Sequence, residues 1–169
     1  MSGGQTGADR AALDWAIERG IDHGGWCPRG RRAEDRTIPR RYRLTETPSH
    51  RYVERTEWNV RDSDGTVILS MREPLTGGSK RTAELARLHD KPCLHLSLDA
   101  GRTDAGERLR GFVQAHRIRV LNVAGPRASS EPEIGAFVTQ TLDRAFLTPS
   151  PGGTAEPMKR DSAGGGDVE

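Results

Sequence analysis

Long apolar runs are missing from this chain, so no segment of its 169 residues can cross a bilayer as a helix. The N-terminus also lacks the apolar core of a secretory leader. Cysteine occurs only at Cys27 and Cys93, without metal-ligand spacing and with no need to pair. That excludes a disulfide scaffold and predicts a cytoplasmic protein. No charge dominates: 26 basic residues face 24 acidic ones, and a net charge of +2 disfavours a nucleic-acid partner. With 33% hydrophobic content there is enough apolar material for one domain and no room for a second. No internal repeat is present.

Two nucleotide-binding signatures are absent as well. There is no G-x-x-x-x-G-K-[ST] run, which excludes a P-loop NTPase. Gly4 and Gly7 keep the last two glycines of G-x-G-x-x-G, but Ser2 replaces the first and no acidic residue closes the next strand, which ends at Trp26-Cys27-Pro28. A standard NAD site is therefore not expected. What is present is a glycine-rich turn, Ser2-Gly3-Gly4-Gln5-Thr6-Gly7, running straight into an amphipathic helix. Glycines permit positive φ and close backbone approach, and a helix start aims unpaired N–H groups at the same spot. An anion such as phosphate is expected there. A tight turn alone is the plainer alternative.

Apolar spacing predicts helices over residues 8–19, 51–61, 82–89, 106–116 and 133–146, and strands over 21–27, 66–70, 93–98 and 119–123. Residues 28–47 read as a long polar loop. Strands alternating with helices mean an α/β fold, a Rossmann-like three-layer sandwich with a mostly parallel sheet. Past Leu147 the chain turns to Pro, Gly and Ser, so 1–147 is expected to be the domain and 148–169 a disordered tail.

Ligands of parallel sheets sit beyond the strands' carboxyl ends, and glycines fall at three of these: Gly3-Gly4, Gly77-Gly78 and Gly125. Thr6, Ser79, Thr82 and Ser129 or Ser130 offer hydroxyls beside them. The 28–47 loop carries seven arginines, Arg29, Arg31, Arg32, Arg36, Arg40, Arg41 and Arg43. Most read as solvated charge, with Arg29 or Arg31 placed to reach a phosphate. Asp62 and Asp64 suit either Mg²⁺ against a phosphate or a turn into the next strand. The histidines are scattered without ligand spacing, so none is assigned a catalytic role. Trp15, Trp26 and Trp58 read as core or crevice wall.

The run from Ser2 to Asp14, with Gly25-Trp26-Cys27-Pro28-Arg29-Gly30, Ile38-Pro39, Arg55-Thr56, Asn59-Val60, Ser63-Asp64-Gly65-Thr66, Gly77-Gly78 and Asn122 to Arg127, resembles the putative molybdenum cofactor carrier family, in the YpsA-related branch of the SLOG superfamily. Arg36 and Arg43 depart from that pattern, standing where glycine and proline are usual. The resemblance implies a Rossmann-like fold binding a nucleotide or a pterin such as molybdenum cofactor. The implied contacts are Ser2, Gly3, Gly4, Gln5, Thr6, Gly7, Arg29, Gly77, Gly78, Ser79, Thr82 and Gly125, and the chain is expected to bind a small phosphorylated ligand, alone or as a homo-oligomer. The alternative is a nucleoside monophosphate phosphoribohydrolase. Related hydrolases carry P-G-G-x-G-T-x-x-E, whereas this chain reads Thr76-Gly77-Gly78-Ser79-Lys80-Arg81-Thr82-Ala83-Glu84. Glu84 follows Thr82 by two residues rather than three, a rotation of roughly 100° on a helix. It is therefore a weak catalytic candidate. In that family an apolar strand precedes the serine, so the expectation is that translation starts upstream and that the first, central strand is missing here.

Overall fold

Every residue of β5 (Gly65–Ser70) is buried, as expected of a strand rich in Val, Ile and Leu at the centre of a parallel sheet. The computed structural model describes residues 1–100 and 104–147, and within it β5 lies between β6 (Cys93–Ser97) and β7 (Leu121–Ala124), all three parallel. The tail expected over 148–169 lies outside the described residues.

On the far side of β7 lie Met1 and Ser2. The Met1 amine donates to Leu121 O at 2.6 Å, Val123 N donates to Met1 O at 3.0 Å, and Ser2 N donates to Gly24 O at 3.0 Å. Met1 and Ser2 thus join the main sheet to a second parallel pair, β1 (Trp26–Cys27) with β4 (Thr45–Glu46). The strand expected over 21–27 shrinks to these last two residues. Gly25 takes φ 140°, and a side chain there would strike the Ser2 backbone.

Helices cover both faces. On one, α1 (Ala8–Glu18), α4 (Ala105–Ala115) and α5 (Ile134–Phe146) bury Leu109, Ile134 and Phe137 against Val67, Leu69, Leu96 and Val123. Each large side chain so buried contributes about 1.5–3 kcal/mol. On the other, α2 (Tyr52–Arg61) packs on α3 (Gly77–Leu88) through Val60, Leu85 and Ala86. This is the α/β sandwich with parallel sheets that the strand–helix alternation predicts.

The 28–47 segment is more than a polar loop. It contains a short hairpin of β2 (Arg32–Ala33) and β3 (Arg36–Thr37) and buries Ile38 and Tyr42 beside Leu13 and Cys27. Arg31 holds it in shape, donating to the carbonyls of Ile38, Pro39, Tyr42 and Leu44 at 2.9–3.1 Å. Arg36 adopts φ 95°, a value that glycine takes without strain. α3 starts at Gly77, ahead of the expected Thr82, with Thr76 extended before it and Gly77 itself at φ 50°, a value that glycine takes without strain.

Candidate functional site

A cleft of about 630 Å³ opens at the carboxyl ends of β5 and β7, a size that suits a small-molecule ligand. Its floor is Gly3, Ser70 and residues 122–125. Its walls are α2, the 72–82 segment that leads into α3, and the 126–131 loop. Of the contacts expected from sequence, the cleft brings together Gly3, Gln5, Gly77, Gly78, Ser79, Thr82 and Gly125.

The start of α3 is an open donor site. Thr76 supplies no side-chain cap. The backbone N–H groups of Gly77, Gly78 and Ser79 find no acceptor among the described residues, since the first capped amide is Lys80 N on Thr76 O. Added side chains at Gly77 or Gly78 would meet nothing within 4 Å. Three unpartnered donors thus lie at a positive dipole end beside free volume, the chemistry that an anion would need. Thr82 Oγ1 is turned inward, donating to Gly78 O at 2.9 Å.

The first glycine turn is partly engaged by the protein itself, although the N–H groups of Gly3, Gly4, Gly7 and Asp9 also find no acceptor among the described residues. Ala8 N donates to Pro126 O at 3.1 Å and Gln5 N to Asp9 Oδ2 at 3.2 Å. The Asp9 carboxylate thus takes the place at α1 that the sequence suggested for a ligand phosphate. Gln5 spends its Oε1 on Thr6 N and Glu34 N. Thr6 Oγ1 donates to Glu34, as does the Ser129 hydroxyl. Burial opposes the charge on Glu34, but these hydrogen bonds prevail and hold its carboxyl below the usual range. Ser2 Oγ donates to Val123 O at 2.8 Å, which makes it a sheet residue. Gly4 packs on Leu44 and Ile38, and Gly7 on the Pro126–Ala128 backbone. Ser2, Gly4, Thr6 and Gly7 therefore shape the cleft from behind, outside its lining. Arg29 is exposed, its N–H on Ser49 O, and does not line the cleft either.

Asp62 and Asp64 sit at the opposite edge of the sheet, which removes the Mg²⁺ reading. Asp62 is bound by Arg61 and by Trp26 Nε1, and Asp64 accepts Arg119 N and Val120 N at 2.9 and 2.8 Å. The turn alternative is the one the backbone uses. Glu84 is half-buried and pairs with Arg81 at 3.2 Å, and it is not among the cleft residues. Trp26 and Trp58 stack edge to face away from the cleft.

Sequence reasoning missed the cleft's fixed cation. Arg55, on α2, lies over Gly3 and pairs with buried Asp9 at 2.7 Å. Any side chain at Gly3 would displace it, which gives that glycine its reason. The signal was Asp9 in the first helical turn, a position that favours a carboxylate. Arg72 also lines the cleft, and its guanidinium has no partner among the described residues.

A parallel α/β sheet flanked by helices, with a cleft at the carboxyl ends of its strands, defines a Rossmann-like architecture. The model of the circularly permutated YpsA SLOG family matches residues 1–146, and the chain belongs to that family. The crystal structure of a putative molybdenum carrier protein from Syntrophus aciditrophicus SB is 49% identical, with a TM-score of 0.84, covering 86% of this chain and 92% of that one. No curated protein matches the chain. No helix among the described residues is long and apolar enough to cross a membrane.

Proposed function

We propose that the protein is a cytoplasmic, single-domain carrier that binds a phosphorylated nucleotide-like or pterin ligand, molybdenum cofactor being the specific version. The observation that carries this is the trio of unpartnered N–H groups at Gly77, Gly78 and Ser79, set in a cleft of fitting size. The phosphate rests on these amides, and Arg55 and Arg72 supply positive charge beside it. Tyr52 and Val53, both partly exposed on the α2 wall, offer an apolar surface for a planar ring. The name of the Syntrophus relative supports the molybdenum version. Nothing favours the phosphoribohydrolase reading, because Glu84 is engaged by Arg81 outside the cleft.

The test is Gly78→Asp, with guanosine and adenosine monophosphates and inorganic phosphate as probes in calorimetry. The new carboxylate suits an open helix start, so thermal stability should hold or rise. It also occupies the cradle, so affinity for the bound probes should fall by at least about tenfold. Unchanged affinity would place the phosphate elsewhere.

A further inference from the structure

Ser70 ends β5 on the cleft floor, and its Oγ lies 2.8 Å from His95 Nε2. The other ring nitrogen of His95, Nδ1, is 3.8 Å from Glu73 Oε1. Sheet register produces this grouping. His95 on β6 is the partner of Ile68, and Ser70, two residues further along β5, projects from the same face. Glu73 follows on the segment leading to α3 and is steadied by Ser97 Oγ, which donates to its Oε1 at 2.9 Å. At 3.8 Å Glu73 is beyond hydrogen-bond reach of Nδ1, but an acceptor oxygen on that side favours the His95 tautomer protonated on Nδ1 and leaves Nε2 as an acceptor facing Ser70. The single Ser70 proton has two acceptors in reach, His95 Nε2 and Arg72 O at 2.8 Å.

We propose that Ser70, His95 and Glu73 act as nucleophile, general base and orienting carboxylate in the hydrolysis of a carboxylic ester whose alcohol part is phosphorylated. The phosphorylated part of this substrate rests on the binding reading above, while the reactivity of Ser70 does not. Ser70 Oγ attacks the ester carbon as His95 Nε2 takes its proton, and the C–O bond to the alcohol then breaks with His95 returning the proton to the departing oxygen. Water then attacks the acyl carbon as its proton passes to His95, the bond to Ser70 Oγ breaks with His95 returning that proton to the oxygen, and the acid is released. Arg72, which lines the same cleft and whose guanidinium has no partner among the described residues, supplies positive charge for the developing oxyanion. Burial holds the His95 pKa down, with Arg108 acting in the same sense and Glu73 and Glu131 against it. The imidazole is therefore neutral, and able to take a proton, at neutral pH.

The test uses an alkyl fluorophosphonate, which forms an Oγ–P bond and releases fluoride only at an activated serine. Intact mass and peptide mapping of the unsubstituted chain should show one adduct, on Ser70. Ser70→Ala should take up none, and His95→Gln and His95→Asn should slow labelling by about a hundredfold. Glu73→Gln should move the pH profile of labelling toward lower pH, which loss of a merely structural contact would not do. With 4-nitrophenyl acetate, a burst of nitrophenolate should accompany acetylation of Ser70. No adduct on Ser70, or labelling undiminished without His95, overturns the proposal. An adduct without acetylation overturns its acyl chemistry. Gly78→Asp should lose nucleotide binding yet keep its labelling, so the two readings fail separately.

Discussion

The two glycine turns at the head of α1 and at the head of α3 have similar sequences and opposite states. At α1 the protein supplies its own carboxylate and much of the packing: Asp9 accepts Gln5 N, Pro126 O accepts Ala8 N, and Glu34 ties Thr6 to Ser129. At α3 no carboxylate among the described residues does the same, and Gly77, Gly78 and Ser79, whose amides have no acceptor among those residues, line the cleft. A glycine-rich helix start is thus an anion site only where the chain has not supplied its own anion. One turn builds the cleft and the other furnishes it.

The largest effect should come from removing the internal anion. Asp9→Ala leaves the Arg55 guanidinium, already carrying a buried and unpartnered Nε, without its counter-charge. Breaking such a pair costs about 3–5 kcal/mol. Chemical denaturation should show that loss, and a Gly78→Asp control should not. An Asp9→Ala loss below about 1 kcal/mol would mean that the turn at α1 is not held by this pair.

Steric contrast comes next. A Cβ at Gly7, whose φ is 79°, would lie 2.5 Å from Pro126 O, whereas one at Gly78 meets nothing. Gly7→Ala should cost about 2–4 kcal/mol, from the strained backbone and the clash together. Gly78→Ala should gain about 0.5–1 kcal/mol as a better helix former. Urea midpoints compare the two directly, and equal shifts would erase the distinction between a packed turn and an open one.

Much of this was legible in the sequence. The β5 run Val67-Ile68-Leu69 and the helical spacing of α1, α2 and α5 gave the layers, since burial on both faces and on one face leave different patterns. Glycine position gave the cleft's edge. The state of each turn was not legible, because it depends on partners far along the chain: Glu34 against Thr6, Pro126 against Ala8, Arg55 against Asp9. The 28–47 segment misled for a related reason. From sequence Arg31 reads, with Arg29, as a cation placed to reach a phosphate, yet folded it binds four carbonyls that no local pattern announces. The Ser70–His95 contact likewise spans two strands, and scattered histidines carry no spacing to reveal it.

Acid should separate the turns without mutation. The folded Glu34 carboxyl lies below its unfolded value, so its contribution is present above the ordinary carboxylate pKa of about 4.3 and is lost as pH falls through the lower folded value. The 126–131 loop should therefore loosen first in acid, read by amide exchange of Ser129, while α3 keeps its protection. Glu34→Gln should remove that pH dependence. Equal acid sensitivity of both turns would break the comparison.

The smallest effect should be at Glu84. Its partner Arg81 is three residues earlier on α3, both side chains are nearly half exposed, and their separation is 3.2 Å. Such surface pairs contribute about 0.2–0.5 kcal/mol and are screened by salt. Glu84→Gln should therefore leave stability within that margin. Releasing Arg81, a cleft residue, from its carboxylate frees a guanidinium to face the cradle, so nucleoside monophosphate affinity should stay level or rise slightly. Base release from nucleoside monophosphates should be equally low in both proteins, measured by chromatography of the free base. Fast release that vanishes in Glu84→Gln would show that α3 turns this carboxylate into the cleft during catalysis, and the open turn would then be a hydrolytic site rather than a resting place for phosphate.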